Sequence, residues 1–365
     1  MYIKNIHIKD FRNYKDGFVE FYKGTNVIYG RNARGKTNIL EAIYMCATSK
    51  SHRGAKEKDM IKYDVESAHI STSFFAHRRY NQILLKMNAG QKNFYINKVM
   101  IDKTSDLLGS LYCVIFCPED LKIIKGSPRI RRQMMDSAIC FINPGYVNKI
   151  IKYNKILNHR NMALKNSSND EALWVWDAQL ASVGAGIMEQ RNRFLQQLNS
   201  LACVYMKNIA GEFLEIEYKN IFHRVSESED KSERITFYQN LILEEIEKNR
   251  DREKRWGQSL IGPHRDDFVV KIDEKEARSF ASQGQVRSAV LSMKLAETEC
   301  IRTFTGEAPI LLLDDVLSEL DEERQKYILN EFLDLQIIIT ATEAKQYKGQ
   351  SGVKMINVDG IERGK

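Results

Sequence analysis

No apolar run in this 365-residue chain approaches the roughly 20 residues that a membrane-spanning helix needs, which argues against a transmembrane protein. The opening "MYIKNIHIKD" lacks the charged segment and apolar core of a secretion signal, so a soluble cytoplasmic protein with no membrane partner is expected. Cysteine is scattered: of the residues at 46, 113, 117, 140, 203 and 300, only Cys113 and Cys117 lie close together, with no second pair and no His at zinc-finger spacing. Buried reduced thiols are expected instead. Internal repeats, low-complexity tracts, helix-turn-helix and other base-reading motifs are also missing, so any nucleic acid would be recognised by duplex shape or at a single-strand junction. His264, Arg265 and Asp266 spell the H-R-D of protein kinases, but no V-A-I-K or D-F-G accompanies them in order, which excludes that class.

What is present is a moderate positive excess, 55 Lys and Arg against 48 Asp and Glu for a net +7. It suits a polyanionic partner without requiring one. The first third alternates with period two in "YIKNIHIKDF", "GFVEFY", "HISTSFFAH", "QILLKMN" and "KNFYINKVMI", the pattern of half-buried strands. At Ser127, a candidate N-cap, and Pro128, suited to the first helical position, the pattern turns helical and stays so to about Trp256. Within this stretch Leu173, Trp176, Leu180, Val183, Ile187, Phe194, Leu198 and Leu201 form a near-heptad seam broken around Gln190 and Arg191. The seam predicts either a helical hairpin of about 40 Å or an ordinary amphipathic helix on a bundle. Strand-like "FVVKID", "APILLLDD" and "LQIIITATE" then return, the last two reading as buried parallel strands. The expected architecture is α/β: one domain assembled from residues 1–125 and 257–365, with a helical domain of residues 126–256 inserted.

Gly30, Arg31, Asn32, Ala33, Arg34, Gly35, Lys36 and Thr37 match G-x-x-x-x-G-K-[ST] in full, between the strand-like "NVIY" and a helix whose apolar face is Ile39, Leu40, Ile43 and Ala47. Strand, loop and helix in that order aim successive backbone N–H groups and the positive end of a helix dipole into one concavity, which suits a pyrophosphate. Lys36 would reach the β and γ phosphates, and Thr37 would bind Mg²⁺. A metal-holding carboxylate at a strand end is also required, and "ILLLDD" supplies Asp314. Asp315 would orient or deprotonate the attacking water, or else merely cap the next helix. Ser282, Gly284 and Gln285 in "SFASQGQVRSAV" open a further helix, either as a second phosphate-binding turn or as a simple helix start.

Taken in order, "GRNARGKT", "SQGQ" and "ILLLDDVLSELD" resemble the Walker A, signature and Walker B motifs of ABC-type ATPases, the last continuing into a D-loop that ends at Asp321. With "FRNY" at 11–14, "PEDL" at 118–121, "GSPRIRRQMMD" at 126–136, "GPHRDD" at 262–267 and "LSELD" at 317–321, nearly the whole chain is similar to the RecF family of bacterial repair ATPases, relatives of the SMC proteins. The resemblance implies an ABC-type P-loop ATPase head with a mixed β-sheet and an inserted helical lobe. It implies ATP bound at Gly30–Thr37 with Mg²⁺ at Thr37 and Asp314, Lys36 and Asp315 as catalytic residues, and Arg12 as a further nucleotide contact. Ser282, Gly284, Gln285 and Asp321 would meet the nucleotide held by a second protomer, giving an ATP-dependent homodimer. The implied function is a clamp on single-stranded and double-stranded DNA at gaps, with a weak DNA-stimulated ATPase, acting with RecO and RecR in loading RecA. Ala33, Arg34 and Val286 depart from the family pattern. Asp315 stands where transporter ATPases carry Glu, and no switch His follows "IIIT", so slow hydrolysis is expected and a transporter subunit disfavoured. A non-hydrolysing SMC-like structural protein is the alternative.

For DNA contacts, Arg129, Arg131 and Arg132 with Lys122 and Lys125 form one basic cluster, and Arg250, Arg252, Lys254 and Arg255 another. Backbone phosphates attract such clusters without sequence preference, although solvated helix faces are equally basic.

Overall fold

A computed structural model of the chain describes residues 1–166, 170–220, 222, 224–226, 228–317, 322–342, 347 and 352–361. It divides into two compact units, Met1–Asp120 with Lys294–Lys365, and Leu121–Met293.

Strands of two kinds build the first unit. Tyr14–Glu20, Tyr2–Phe11, Ser67–Ala76, Arg79–Asn88, Gln91–Ile96 and Val99–Ile101 form, in that spatial order, a six-stranded antiparallel sheet. Its alternation is plain in Ser67–Ala76, where Ala68, Ile70, Thr72, Phe74 and Ala76 are buried and the residues between them are not. Period two puts successive side chains on opposite faces, so one face is apolar. Two hairpins close with pairs at positive φ, His77 (51°) with Arg78 (61°) and Asn97 (50°) with Lys98 (72°). Such mirror-image turns follow the right-handed twist of the strands they join.

The second sheet is wholly parallel: Val353–Asn357, Thr25–Tyr29, Ile337–Ala341, Ile310–Asp314 and Cys113–Phe116, in that order. Ile310–Asp314 and Ile337–Ala341 are buried at every residue, as continuous apolar runs demand. The mixed strand content expected of the head is thus distributed over one antiparallel and one parallel sheet. Register sets Asp314 opposite Thr340, and Ala341 opposite Tyr29, so the carboxyl ends of three strands finish level with one another.

In the second unit the helices Pro128–Ile142, Gly145–Lys165, Asp170–Ala210, Lys231–Lys248 and Arg250–Trp256 accompany a three-stranded antiparallel sheet of Lys275–Glu276, Asp267–Ile272 and Leu214–Lys219. Ser127 holds the N-cap position before Pro128 in extended backbone, without a side-chain cap bond. The seam residues lie on Asp170–Ala210, which packs against its neighbours as a bundle helix does. The break in that seam has a cause: Arg191, 3% exposed, faces inward to pair with Asp136 and Asp266. Contacts return the chain to the first unit at 294 rather than 257, because Asp267–Ile272 pairs along its whole length with Leu214–Lys219.

"GPHRDD" forms the polar centre of this unit. Arg191 Nη1 donates to Pro263 O at 2.6 Å and to Asp266 Oδ2 at 3.2 Å, while its Nε and Nη2 hold both oxygens of Asp136 at 2.9 Å. Arg131, 4% exposed, grips both oxygens of Asp267 at 2.6 and 2.8 Å. Buried charges of this kind persist only with satisfied partners, and removing one partner costs about 3–5 kcal/mol.

Burial pushes the Asp266 carboxyl up to about 6, against the pull of Arg191 and the Tyr218 hydroxyl. The folded state therefore binds this proton more tightly than the unfolded chain, whose carboxyl titrates near 3.8. The resulting stabilisation is full below 3.8 and lost as the pH rises through about 6. In thermal unfolding, the margin of the wild type over Asp266→Asn should widen by up to about 3 kcal/mol as the pH falls through this window. His264, pushed down to about 4 by burial, titrates the opposite way in both proteins and cancels from the comparison. A margin independent of pH would show that the Asp266 carboxyl titrates in the folded chain as it does in the unfolded one.

Candidate nucleotide site

The loop between the strand Thr25–Tyr29 and the helix Lys36–Thr48 turns on three left-handed residues, Gly30 (φ 153°), Ala33 (φ 61°) and Gly35 (φ 88°). Glycine is required at 35, where a Cβ would lie 2.7 Å from Asn13 Oδ1 and 2.8 Å from the ring of Tyr14. At position 33 the chain carries an alanine instead, at a left-handed cost of about 1 kcal/mol. Arg34, the other departure in the loop, is half exposed and turned toward Asp359 at 3.8 Å.

Lys36 is 8% exposed and spans the loop, its Nζ donating to Gly30 O at 2.7 Å and Arg31 O at 3.2 Å. Burial lowers its pKa, and the carboxylates of Asp315, Asp359 and Asp314 oppose that shift. The ammonium is thus held in place by carbonyls and balanced by nearby acids. From the far side of the sequence, Asp314 accepts through one oxygen, Oδ1, from Thr37 Oγ1 at 2.9 Å and Thr340 Oγ1 at 2.8 Å. Burial raises the Asp314 pKa and the two hydroxyls pull it down. Thr340 Oγ1 also accepts from the Asp315 N–H at 2.8 Å, which fixes the second carboxylate's backbone at φ 55°. Asp315 is exposed into a cleft of about 360 Å³ that is lined by Asn13, Arg53 and Thr340 as well as by residues 32–38.

This set fits a nucleotide with a divalent metal. The loop is shaped around small residues, its lysine is already inside, and a hydroxyl meets a buried carboxylate of the kind that shares a hard cation. The lining residues Asn13 and Thr340 escape motif reading, since Asn13 sits in "FRNY" beside the more conspicuous arginine. Thr340 ends "IIIT", and a hydroxyl closing a buried strand next to the carboxylate strand is the signal that could have found it.

Arg12 does not line this cleft. Its Nε and Nη2 hold both oxygens of Glu41 at 2.9 and 2.7 Å, and its Nη1 donates to Asp59 O at 2.8 Å. Glu41 is 0% exposed on the helix that follows the loop. Burial alone would raise its pKa, but Arg12 and the Ser51 hydroxyl outweigh burial and keep it below the usual carboxylate range. Arg12 therefore anchors the loop helix instead of presenting a free cation.

Ser282, Gly284 and Gln285 are described within the second unit. Gln285 N–H donates to Ser282 Oγ at 3.2 Å and Ser282 N–H to Gln285 Oε1 at 2.9 Å, a reciprocal capping box at the start of Gln283–Thr305. Ser282 and Gly284 face solvent, and Val286, which departs from the family pattern, is buried. Asp321 lies outside the described residues. Of Arg129, Arg131 and Arg132, Arg129 alone is exposed. Arg131 is spent inside on Asp267, Ile123 O and Gly126 O, and Arg132 donates to Asp266 O at 2.6 Å. Lys125 caps the carbonyls of Ala277, Arg278 and Ala281. The "RIRR" patch is thus largely a structural clasp, because Asp267 and the Asp266 carbonyl, distant in sequence, and the nearby carbonyls of Ile123 and Gly126 claim the donors of Arg131 and Arg132.

Comparisons with known proteins show the family and the fold. Residues 2–363 match the sequence model of the family described as RecF/RecN/SMC N terminal domain. The chain is 42% identical over 371 residues to a DNA replication and repair protein RecF from Clostridium botulinum (strain 657 / Type Ba4), covering 100% of both. It is 43% identical over 344 residues to the protein of the same name from Clostridium novyi (strain NT), covering 94% and 93%. Among solved structures, the recombination mediator protein RecF-ATP of the RecFOR pathway superposes with a TM-score of 0.90 at 34% identity, covering 100% of this chain and 98% of that one. A Pyrococcus furiosus Smc head domain, at 16% identity and a TM-score of 0.52, covering 94% and 90%, shares the fold.

Arg12→Ala should leave Glu41 buried without its cation and lower the unfolding free energy by about 3–5 kcal/mol. Adding Glu41→Gln should restore much of that loss in thermal melts. Were Arg12→Ala as stable as the wild type and deficient only in nucleotide affinity, the anchoring role would be wrong.

Proposed function

The chain belongs to the RecF family of SMC-like ATPases, and on that premise we propose that it is an ATP-gated DNA-binding protein of recombinational repair. One observation carries the nucleotide half of this reading: Thr37 and Asp314, distant in sequence, meet at 2.9 Å beside Lys36 at the carboxyl edge of the parallel sheet. The RecF–ATP complex, with a closely similar fold, supports ATP as the ligand.

The loop's N–H groups and Lys36 would hold the β and γ phosphates, and Thr37 with Asp314 would hold Mg²⁺. That cation, when bound, neutralises charge on the phosphates. Asp315, held at the cleft by the Thr340 bond to its N–H, is placed to orient water. A carboxylate one methylene shorter than Glu, with no switch His, suits slow turnover, so hydrolysis serves as a timer that opens the assembly. Ser282, Gly284 and Gln285 are presented at an exposed helix start, where the signature of one protomer would meet the γ phosphate held by the other. ATP thereby joins two protomers around DNA at a single-strand gap, with RecO and RecR as partners in loading RecA. Among the described residues no helix is long and apolar enough to cross a membrane.

Light scattering with ATP and a gapped duplex tests the dimer. The molar mass should double for the wild type and stay monomeric for Lys36→Arg and Ser282→Arg, while Asp315→Asn should hold the doubled mass longer. Nucleotide binding without any change in mass would reduce the signature to a helix start and end the clamp reading.

A further inference from the structure

The chain has three tryptophans, at 174, 176 and 256, and all lie in the second unit. Trp174 and Trp256 are 66% and 56% exposed. Large apolar rings left in water together mark a contact surface.

A buried knot of charge ties together the helices that carry them. Arg160, on the helix Gly145–Lys165 and 0% exposed, donates from Nε to Asp177 Oδ1 and from Nη2 to Glu253 Oε2, both at 2.6 Å. Arg250 adds a second tie to Asp177 at 2.6 Å. Trp174 precedes Asp177 by three residues and Trp256 follows Glu253 by three, so the two exposed rings stand on helices that this guanidinium ties together. Trp176 stacks on His159 with ring centroids 5.1 Å apart and planes 9° apart, and the Arg252 guanidinium lies 4.9 Å over the Trp256 ring.

The helix Gly145–Lys165 contains no Asp or Glu, and its solvent side carries Lys152, Lys155, His159, Met162 and Lys165. Arg252 and Arg255 add to this charge from the helix Arg250–Trp256, against one exposed carboxylate there, Asp251. A rival aromatic, Tyr63, is 90% exposed beside Lys58 and Lys62, but Asp59, Asp64 and Glu66 neutralise its surroundings.

Flat rings beside cations, continuous with an acid-free track, suit a polyanion whose bases are unpaired, since a duplex hides the base faces that would stack. We propose that the exposed Trp174 and Trp256, joined through the Arg160 knot to the acid-free helix Gly145–Lys165, form a binding surface for single-stranded nucleic acid. Bases stack on the two rings and the backbone follows Lys155 and Lys152. This deepens the gapped-DNA reading above and rests on it for the single strand's origin, but it needs neither ATP nor a second protomer.

The full chain supplies its own probe, because every tryptophan lies in the proposed surface. Titration with oligothymidylate of about 20 nucleotides, without ATP, should quench tryptophan emission, with an affinity that falls steeply with salt. Trp174→Ala and Trp256→Ala should each weaken binding about tenfold. Lys152→Glu with Lys155→Glu should weaken it and flatten the salt dependence. Unaltered oligonucleotide affinity in both tryptophan variants would overturn the proposal and leave the rings as a protein-docking surface; binding that appears only with ATP would overturn it too. The ATP-dependent doubling of mass, measured on the same variants, should persist, so failure of the strand surface and failure of the clamp are read separately.

Discussion

One carboxylate oxygen, Oδ1 of Asp314, accepts hydrogen bonds from Thr37 and Thr340, and the geometry of the candidate site depends on that junction. It exists because parallel strands from both ends of the chain finish level, with Asp314 opposite Thr340 and Ala341 opposite Tyr29. A ligand at the carboxyl ends of such strands is bound by loops that a rigid sheet positions. The carboxylate is 5% exposed, so its charge is costly unless hydroxyls or a cation satisfy it. In this structure the two threonines meet that requirement.

The second unit solves a different problem. It buries Arg131, Arg160 and Arg191 and pairs each with carboxylates from other segments. Ion pairs of this kind add little net stability over apolar packing, but an alternative packing would strand a charge. They therefore fix how the helices and the small sheet meet, including the long helix whose apolar seam Arg191 interrupts. The same Arg160 knot ties together the helices that carry Trp174 and Trp256.

Much of the candidate site is legible in the amino-acid sequence. The phosphate loop, its flanking strand and helix, and the carboxylate after "ILLL" follow from patterns within a few residues, and the fold places them together. The arginines are harder to read. Arg12 stands next to Asn13, and only the fold turns the first toward the buried Glu41 and leaves the second in the cleft. "RIRR" reads as an exposed basic patch, yet two of its three arginines donate to Asp266 and Asp267, more than 100 residues away. Likewise the strand at 267–272 resembles a return to the first unit, but its partner strand belongs to the second.

By itself the sequence determined the elements and the loop chemistry, because periodicity, glycine placement and proline act on the backbone within a turn or two. Tertiary structure alone decided which cations face water and which are consumed by buried acids. A guanidinium is equally soluble and equally pairable wherever it stands in the chain, and only long-range packing sets a carboxylate beside it or leaves it to solvent.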